Sequence, residues 1–245
     1  MCTLVFAWQV FEQPLLVGAN RDERLDRPSE PPAVREWDAA VLAPADGDAG
    51  GTWIGYNEHG VFVAITNRWI NAELAGERSR GRLVRDALGQ ETAEDAARLI
   101  ENAVTAHEYQ GFNLVVADES AAIYAEWDGQ LAIENFEPGV HVVVNVGADG
   151  HYRISATRQE YAEQQAENAD RLARELQPAP GETGPEWLDR AATLIADHEY
   201  GVCVHGDGFG TRSSSLVLID GADRRYRFAD GPPCETAYRP VEGQV

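Results

Sequence analysis

The sequence predicts an α+β protein of two antiparallel sheets packed face to face with helices outside, four layers in the order αββα, in a single domain over residues 1–245. Three observations predict it. Runs of β-branched and aromatic residues come in pairs or longer groups. Two pairs of helical segments interrupt them. The resulting order, ββ, ββ, αα, ββββ, αα, βββ, disfavours a doubly wound parallel sheet, in which single strands and helices alternate. With 44% hydrophobic and 9% aromatic residues, a chain of 245 residues can bury one large core.

Residues 2–10 (CTLVFAWQV) are rich in strand formers, Phe11–Pro14 reads as a turn, and Leu15–Asn20 as a second strand. Residues 24–50, rich in Pro, Asp and Gly, read as a long loop. From Gly51, GTWIGYNEHGVFVAITN gives two strands about a turn at Asn57–Gly60. Beyond Gly81, Leu83, Val84, Ala87 and Leu88 share one helical face. Thr92 is placed to cap a second helix with the stripe Ala96, Leu99, Ile100 and Ala103. Strands are expected at 111–118, 121–127, 130–134 and 140–146, then a long helix over 155–178, a Pro/Gly connector at 178–184 and a helix over 185–198. Strands near 200–205, 212–220 and 224–230 close the chain.

Charge narrows the partners. There are 41 Asp and Glu against 20 basic residues, all of them Arg, for a formal net charge of −21. The excess is spread along the chain, which reads as the solvated surface of a halophilic protein. In molar salt the Debye length is about 3 Å, so dense carboxylates are tolerated. Nucleic acid is not an expected partner, because phosphate binding needs clustered cations and no basic stripe exists. No run of 18 apolar residues is present, so no membrane span is expected. The N-terminus lacks a basic n-region and a small-residue cleavage site, and a cytoplasmic location is expected. Cys2, Cys203 and Cys234 are an odd set for a disulfide framework. The expected partner is a small-molecule substrate; the oligomeric state is left open.

Cys2 directly follows Met1. Loss of Met1 leaves an N-terminal cysteine whose α-amine, with a reference pKa of about 8, can act as base toward its own thiol. If the first two strands pair antiparallel about the turn, Asn20, Arg21 and Asp22 lie beside Cys2. Other motifs carry less. Cys203 and His205 share a strand face, as a metal pair can, but no second pair has ligand spacing, so neither a metal nor a cofactor is expected. Gly206-x-Gly208-x-Gly210 resembles a phosphate loop but leads into a strand. Asp46-Gly47-Asp48 lacks the rest of a calcium loop. Trp8, Trp53 and Trp127 read as core, and Trp69 as a pocket wall.

Asn20-Arg21-Asp22-Glu23 does not stand alone. Gly51–Gly55, Asn57–Gly60, Thr66-Asn67-Arg68 and Gly210-Thr211-Arg212-Ser213-Ser214-Ser215 follow Cys2 in order across nearly the whole chain. On these landmarks the sequence resembles the NRDE family, also called the transport and Golgi organisation 2 family. That family resembles in turn the penicillin V acylase and bile salt hydrolase group, amide hydrolases with an N-terminal nucleophile (Ntn). The resemblance implies the Ntn-hydrolase fold and cleavage of a carbon–nitrogen amide bond in a small metabolite. It implies Cys2 as nucleophile, Asp22 at the α-amine, Asn67 and Asn145 as oxyanion donors, Arg21 and Arg212 stabilising the thiolate or binding a substrate carboxylate, and Asn20 at the substrate; Trp69, just after Asn67-Arg68, is the expected pocket wall. The group's Arg before the Asn is Ala19 here; Arg21 lies two residues on, on the same strand face. The other function the resemblance allows is a non-catalytic carrier of haem or a lipid metabolite, with Cys2, His59 or His205 as iron ligand. A thioester at Cys2 separates the two.

Overall fold

The computed structural model describes residues 2–243 and Val245. Strands β1 (Thr3–Trp8) and β2 (Leu15–Arg24) form the expected first hairpin, followed by β3 (Ser29–Glu36), β4 (Ala40–Asp46), β5 (Ile54–Asn57) and β6 (Phe62–Asn67). Helices α1 (Arg80–Ala87) and α2 (Ala93–Ala106) precede β7 (Phe112–Ala117), β8 (Ala122–Trp127), β9 (Leu131–Asn135), β10 (Gly139–Val144) and the short β11 (Gly147–Ala148) and β12 (His151–Tyr152). Helices α3 (Gln159–Glu175) and α4 (Gly184–Ala196) lead to β13 (Phe209–Asp220), β14 (Asp223–Ala229) and β15 (Arg239–Pro240). No helix among the described residues is long and apolar enough to cross a membrane.

The chain divides into two compact units, Met1–Asp26 with Pro138–Val241 and Arg27–Glu137 with Glu242–Val245. The first unit holds an eight-stranded antiparallel sheet in the order β12-β11-β10-β1-β2-β13-β14-β15. Its central strand β1, TLVFAW, is buried at every residue. Helix α3 packs on β10 and α4 on β2. Helix α4 starts at a capping box, in which Thr183 and Glu186 exchange side-chain and backbone bonds, with Pro185 in the first turn.

The second unit is a seven-stranded meander, β3 to β9 in sequence order, interrupted by the two helices between β6 and β7. Leu83, Val84 and Leu88 around α1 and Ala96 and Ile100 of α2 close its core against Val41, Val63, Leu114 and Val116. Thr92 caps α2 by accepting from Asp95 N, as its spacing predicts.

Two expectations are corrected. Residues 24–50 are not a long loop, because β2 runs on to Arg24 and β3 pairs with β4. The prolines that suggested a loop, Pro31 and Pro32, sit at a register shift between Glu30 and Ala33 of an edge strand, where a missing donor is tolerated. Residues 200–205 are not a strand. Val202 O accepts from Asn20 Nδ2 at 2.8 Å and Val204 N donates to Thr211 Oγ1 at 2.8 Å, so side chains take backbone groups that a ladder would use. What remains is a 3₁₀ turn at His198–Tyr200, a left-handed Gly201 (φ 63°) and one isolated bridge, His205 to Gly210.

Gly51 explains its place in the GTWIG segment. Thr52 N donates to Gly81 O at 3.0 Å, and a Cβ on Gly51 would overlap that carbonyl at the start of α1. Gly51→Ala is expected to destabilise the protein by about 1–3 kcal/mol, read as a lowered urea midpoint. An unchanged midpoint would show that this approach is not a constraint.

Candidate active site

Strand β2 is held on both sides. Thr3 faces Asn20 across β1–β2, and Asp22 and Asn20 face Thr211 and Ser214 across β2–β13. Cys2, half-buried, stands just before β1. Its backbone nitrogen donates to Asn145 Oδ1 at 3.0 Å, and its thiol reaches Asp22 O at 3.6 Å. That nitrogen becomes the α-amine once Met1 is removed. Asn145 follows β10, and its Oδ1 also accepts from Gln165 Nε2 of α3 at 3.0 Å, so a helix fixes the group that fixes Cys2. Burial pushes the Cys2 thiol up from its ordinary value; the charge of Arg21 works against that shift.

The period of two along β2 places Asn20 and Asp22 on one face and Arg21 on the other. Asn20 Nδ2 donates to Ile195 O at 2.7 Å and Val202 O at 2.8 Å, and its Oδ1 accepts from Ser214 Oγ at 2.6 Å. Its amide therefore ties α4 and the 202 segment to the sheet, a positioning role where substrate contact was expected. Asp22 Oδ1 accepts from Thr211 Oγ1 at 2.6 Å.

Thr211 and Ser214 are three residues apart, so in a regular strand they would face opposite ways. The register of β13 against β2 shifts between Thr211 and Ser213, a bulge at Arg212. The bulge brings Thr211 and Ser214 to the face that carries Asp22 and Asn20. The Arg212 guanidinium, expected at Cys2, meets the exposed Asp230 at 3.4 Å. Arg21 is the side-chain cation whose charge acts on the thiol, more weakly than burial and the chain's own N-terminal charge. It is buried, lies 3.8 Å from Glu23, and pairs across the sheet with Ser213, whose buried hydroxyl has no hydrogen-bond partner among the described residues.

Asn67 and Trp69 belong to the other unit. Asn67 is exposed at the end of β6, opposite Phe112, and Trp69 is half-buried. Between them Arg68 is buried, donating to Asn113 Oδ1 at 2.9 Å and pairing with Glu126 at 2.9 Å, while Tyr124 and Thr66 complete the network through Asn113. Sequence reading missed this network because Asn113, Tyr124 and Glu126 carry no spacing signal. Asn57 is also structural, its Nδ2 donating to Leu88 O and Gln90 O beyond α1.

Asp22 is the electrostatic focus of the first unit. Burial pushes its carboxyl up to about 6, against the pull of the Thr211 hydrogen bond. A carboxyl raised in the folded state binds its proton more tightly there, so Asp22 weakens folding as pH climbs from about 4 through 6. Asp22→Asn is expected to be more stable than the wild type at pH of about 8, by up to ~3 kcal/mol, with the gain gone below pH of about 4. Urea titrations at the two pH values check this. A variant less stable than the wild type at the higher pH would contradict it.

Comparison with known proteins gives the family and the fold. The family model described as Transport and Golgi organisation 2 matches residues 1–230. The human Transport and Golgi organization protein 2 homolog is 26% identical over 242 residues, covering 88% of this chain and 85% of that protein. Among solved structures, penicillin V acylase from Agrobacterium tumefaciens aligns with a TM-score of 0.56 at 15% identity, over 94% of this chain and 83% of that one. The Caenorhabditis elegans ortholog of N-acylethanolamine-hydrolyzing acid amidase aligns with a TM-score of 0.59 at 13% identity, over 89% and 92%. These likenesses show the α+β Ntn-hydrolase fold that the sequence predicts. Matched by its model from the first strand hairpin to the end of β14, the chain belongs to the transport and Golgi organisation 2 family.

Proposed function

We propose that the chain is an N-terminal-cysteine hydrolase that cleaves a carbon–nitrogen amide bond in a small metabolite. The observation that carries this reading is the Cys2 nitrogen, held at 3.0 Å by Asn145 Oδ1 while its thiol lies against Asp22. Removal of Met1 makes that nitrogen a primary amine. The buried thiol is neutral at rest, and its proton passes to the amine as sulfur attacks the amide carbon. The ionised Asp22, held by Thr211, stabilises the ammonium so formed. The proton then goes to the leaving amine as the carbon–nitrogen bond breaks. Water cleaves the thioester, releasing the acid and restoring the thiol.

Asn145 in this scheme orients the amine through its carbonyl oxygen. Asn67 as oxyanion donor rests on the family resemblance, and Trp69 as pocket wall on its place just after Asn67-Arg68; one such donor is worth about 3–4 kcal/mol in a protease. Arg21, expected to share with Arg212 the role of stabilising the thiolate, is the guanidinium this reading uses. With the unpartnered Ser213 hydroxyl across the sheet, it favours a substrate bearing an anionic or strongly hydrogen-bonding group. The halophilic reading of the −21 charge sets the assay medium, molar potassium chloride.

The test is intact mass spectrometry during turnover of a panel of N-acyl amides. The expected species lacks Met1 and carries an acyl group on Cys2, and Cys2→Ala abolishes both adduct and product. Thr211→Val, which releases Asp22, is expected to lower kcat about tenfold. Tight binding of an amide with no adduct and no product would support the reversible carrier instead. A retained Met1 in an active enzyme would refute the amine-base mechanism.

A further inference from the structure

His198, Cys203, His205 and Cys234 bring two imidazoles and two thiols together, with all four ligand atoms within 4.8 Å of one another. Cys203 Sγ lies 3.5 Å from Cys234 Sγ and 3.7 Å from His205 Nε2, and His205 Nε2 lies 3.1 Å from Cys234 Sγ. The His198 and His205 rings converge with centroids 5.0 Å apart. A tetrahedral zinc with bonds of about 2.3 Å to sulfur and about 2.0–2.1 Å to nitrogen has ligand-to-ligand edges of about 3.3–3.8 Å. The separations of 3.1, 3.5 and 3.7 Å lie within about 0.2 Å of that range. A disulfide would need the two sulfurs at about 2.05 Å.

The chain is built to converge there. The 3₁₀ turn carries His198, and the left-handed Gly201 reverses the backbone so that Cys203 and His205 come back toward it. Cys234 arrives from a second turn, where Glu235 N and Thr236 N both donate to Pro232 O. Sequence reading found only the Cys203–His205 pair, because Cys234 lies 31 residues beyond Cys203 and joins it only in the fold. Cys203 is buried while the other three are exposed, so an ion can enter from the surface.

We propose that these four residues bind one zinc ion in a closed Cys₂His₂ site. Four protein ligands complete the tetrahedron, so the ion is structural and has no open position for a substrate. Its consequence reaches the candidate active site through the backbone it clamps. Val202 O receives Asn20 Nδ2, and Val204 N donates to Thr211 Oγ1, the same hydroxyl that holds Asp22. The ion would therefore hold the segment that holds Asn20 and Thr211.

The experiment uses the full chain carrying Cys2→Ala, which removes the N-terminal thiol as a competing ligand. Purified without chelator, it is expected to contain one zinc per chain by plasma mass spectrometry. Replacement by cobalt should give the intense visible bands of a tetrahedral thiolate complex. Cys234→Ser, at an exposed position, is expected to weaken zinc binding about tenfold or more, and stripping the metal should lower the melting temperature reversibly. A folded chain that neither retains nor rebinds zinc at micromolar concentration would overturn the proposal. So would metal-free protein two hydrogens lighter, with Cys203 and Cys234 joined as a disulfide.

Discussion

The candidate site depends on one constraint, the capture of the end of β2 by β13 where its hairpin with β1 stops. The hairpin with β1 sets Asn20 opposite Thr3, and the strand then runs on past Cys2 against β13 alone. There the bulge at Arg212 supplies two hydroxyls to one face, Thr211 for Asp22 and Ser214 for Asn20. A carboxyl and an amide that would otherwise be exposed strand-end residues become buried and fully oriented. Remove the bulge and the alternation of β13 would give one of them no partner.

This capture works against stability in order to place charge. A carboxyl pushed up to about 6 by burial is unfavourable to folding at neutral pH, and it persists only because neighbouring structure over-determines it. That structure is layered. Thr211 is held by Val204, Asn20 by Val202 and Ile195, and Asn145 by Gln165 of α3. The Cys/His cluster sits one residue away from both 202 and 204, which gives a surface feature leverage over a buried one.

Local features were legible in the sequence. The first hairpin and its consequence for Asn20 and Asp22 follow from strand composition and a short turn. The Thr92 cap and the apolar stripe of α2 follow from helical spacing. Features set by the rest of the fold were not. Pro31 and Pro32 look like loop residues unless β3 is known to be an edge. Val202 and Val204 look like a strand unless the side chains of Asn20 and Thr211 are known to claim their backbone. A bulge leaves no mark in GTRSSS, so regular alternation would put Thr211 and Ser214 on opposite faces. The Arg68–Asn113–Glu126 network, and His198 and Cys234 with the Cys203–His205 pair, are joined only by strand pairing and turns.

The central claim is that the α-amine of a mature Cys2 serves its own thiol as base. The most direct measurement compares two forms of the chain, one beginning at Cys2 and one keeping Met1, for the rate of Cys2 alkylation at neutral pH, located by peptide mapping. With a free amine to take the proton from a thiol that burial holds neutral, the mature form should react about tenfold faster or more. Equal rates in the two forms would contradict the account.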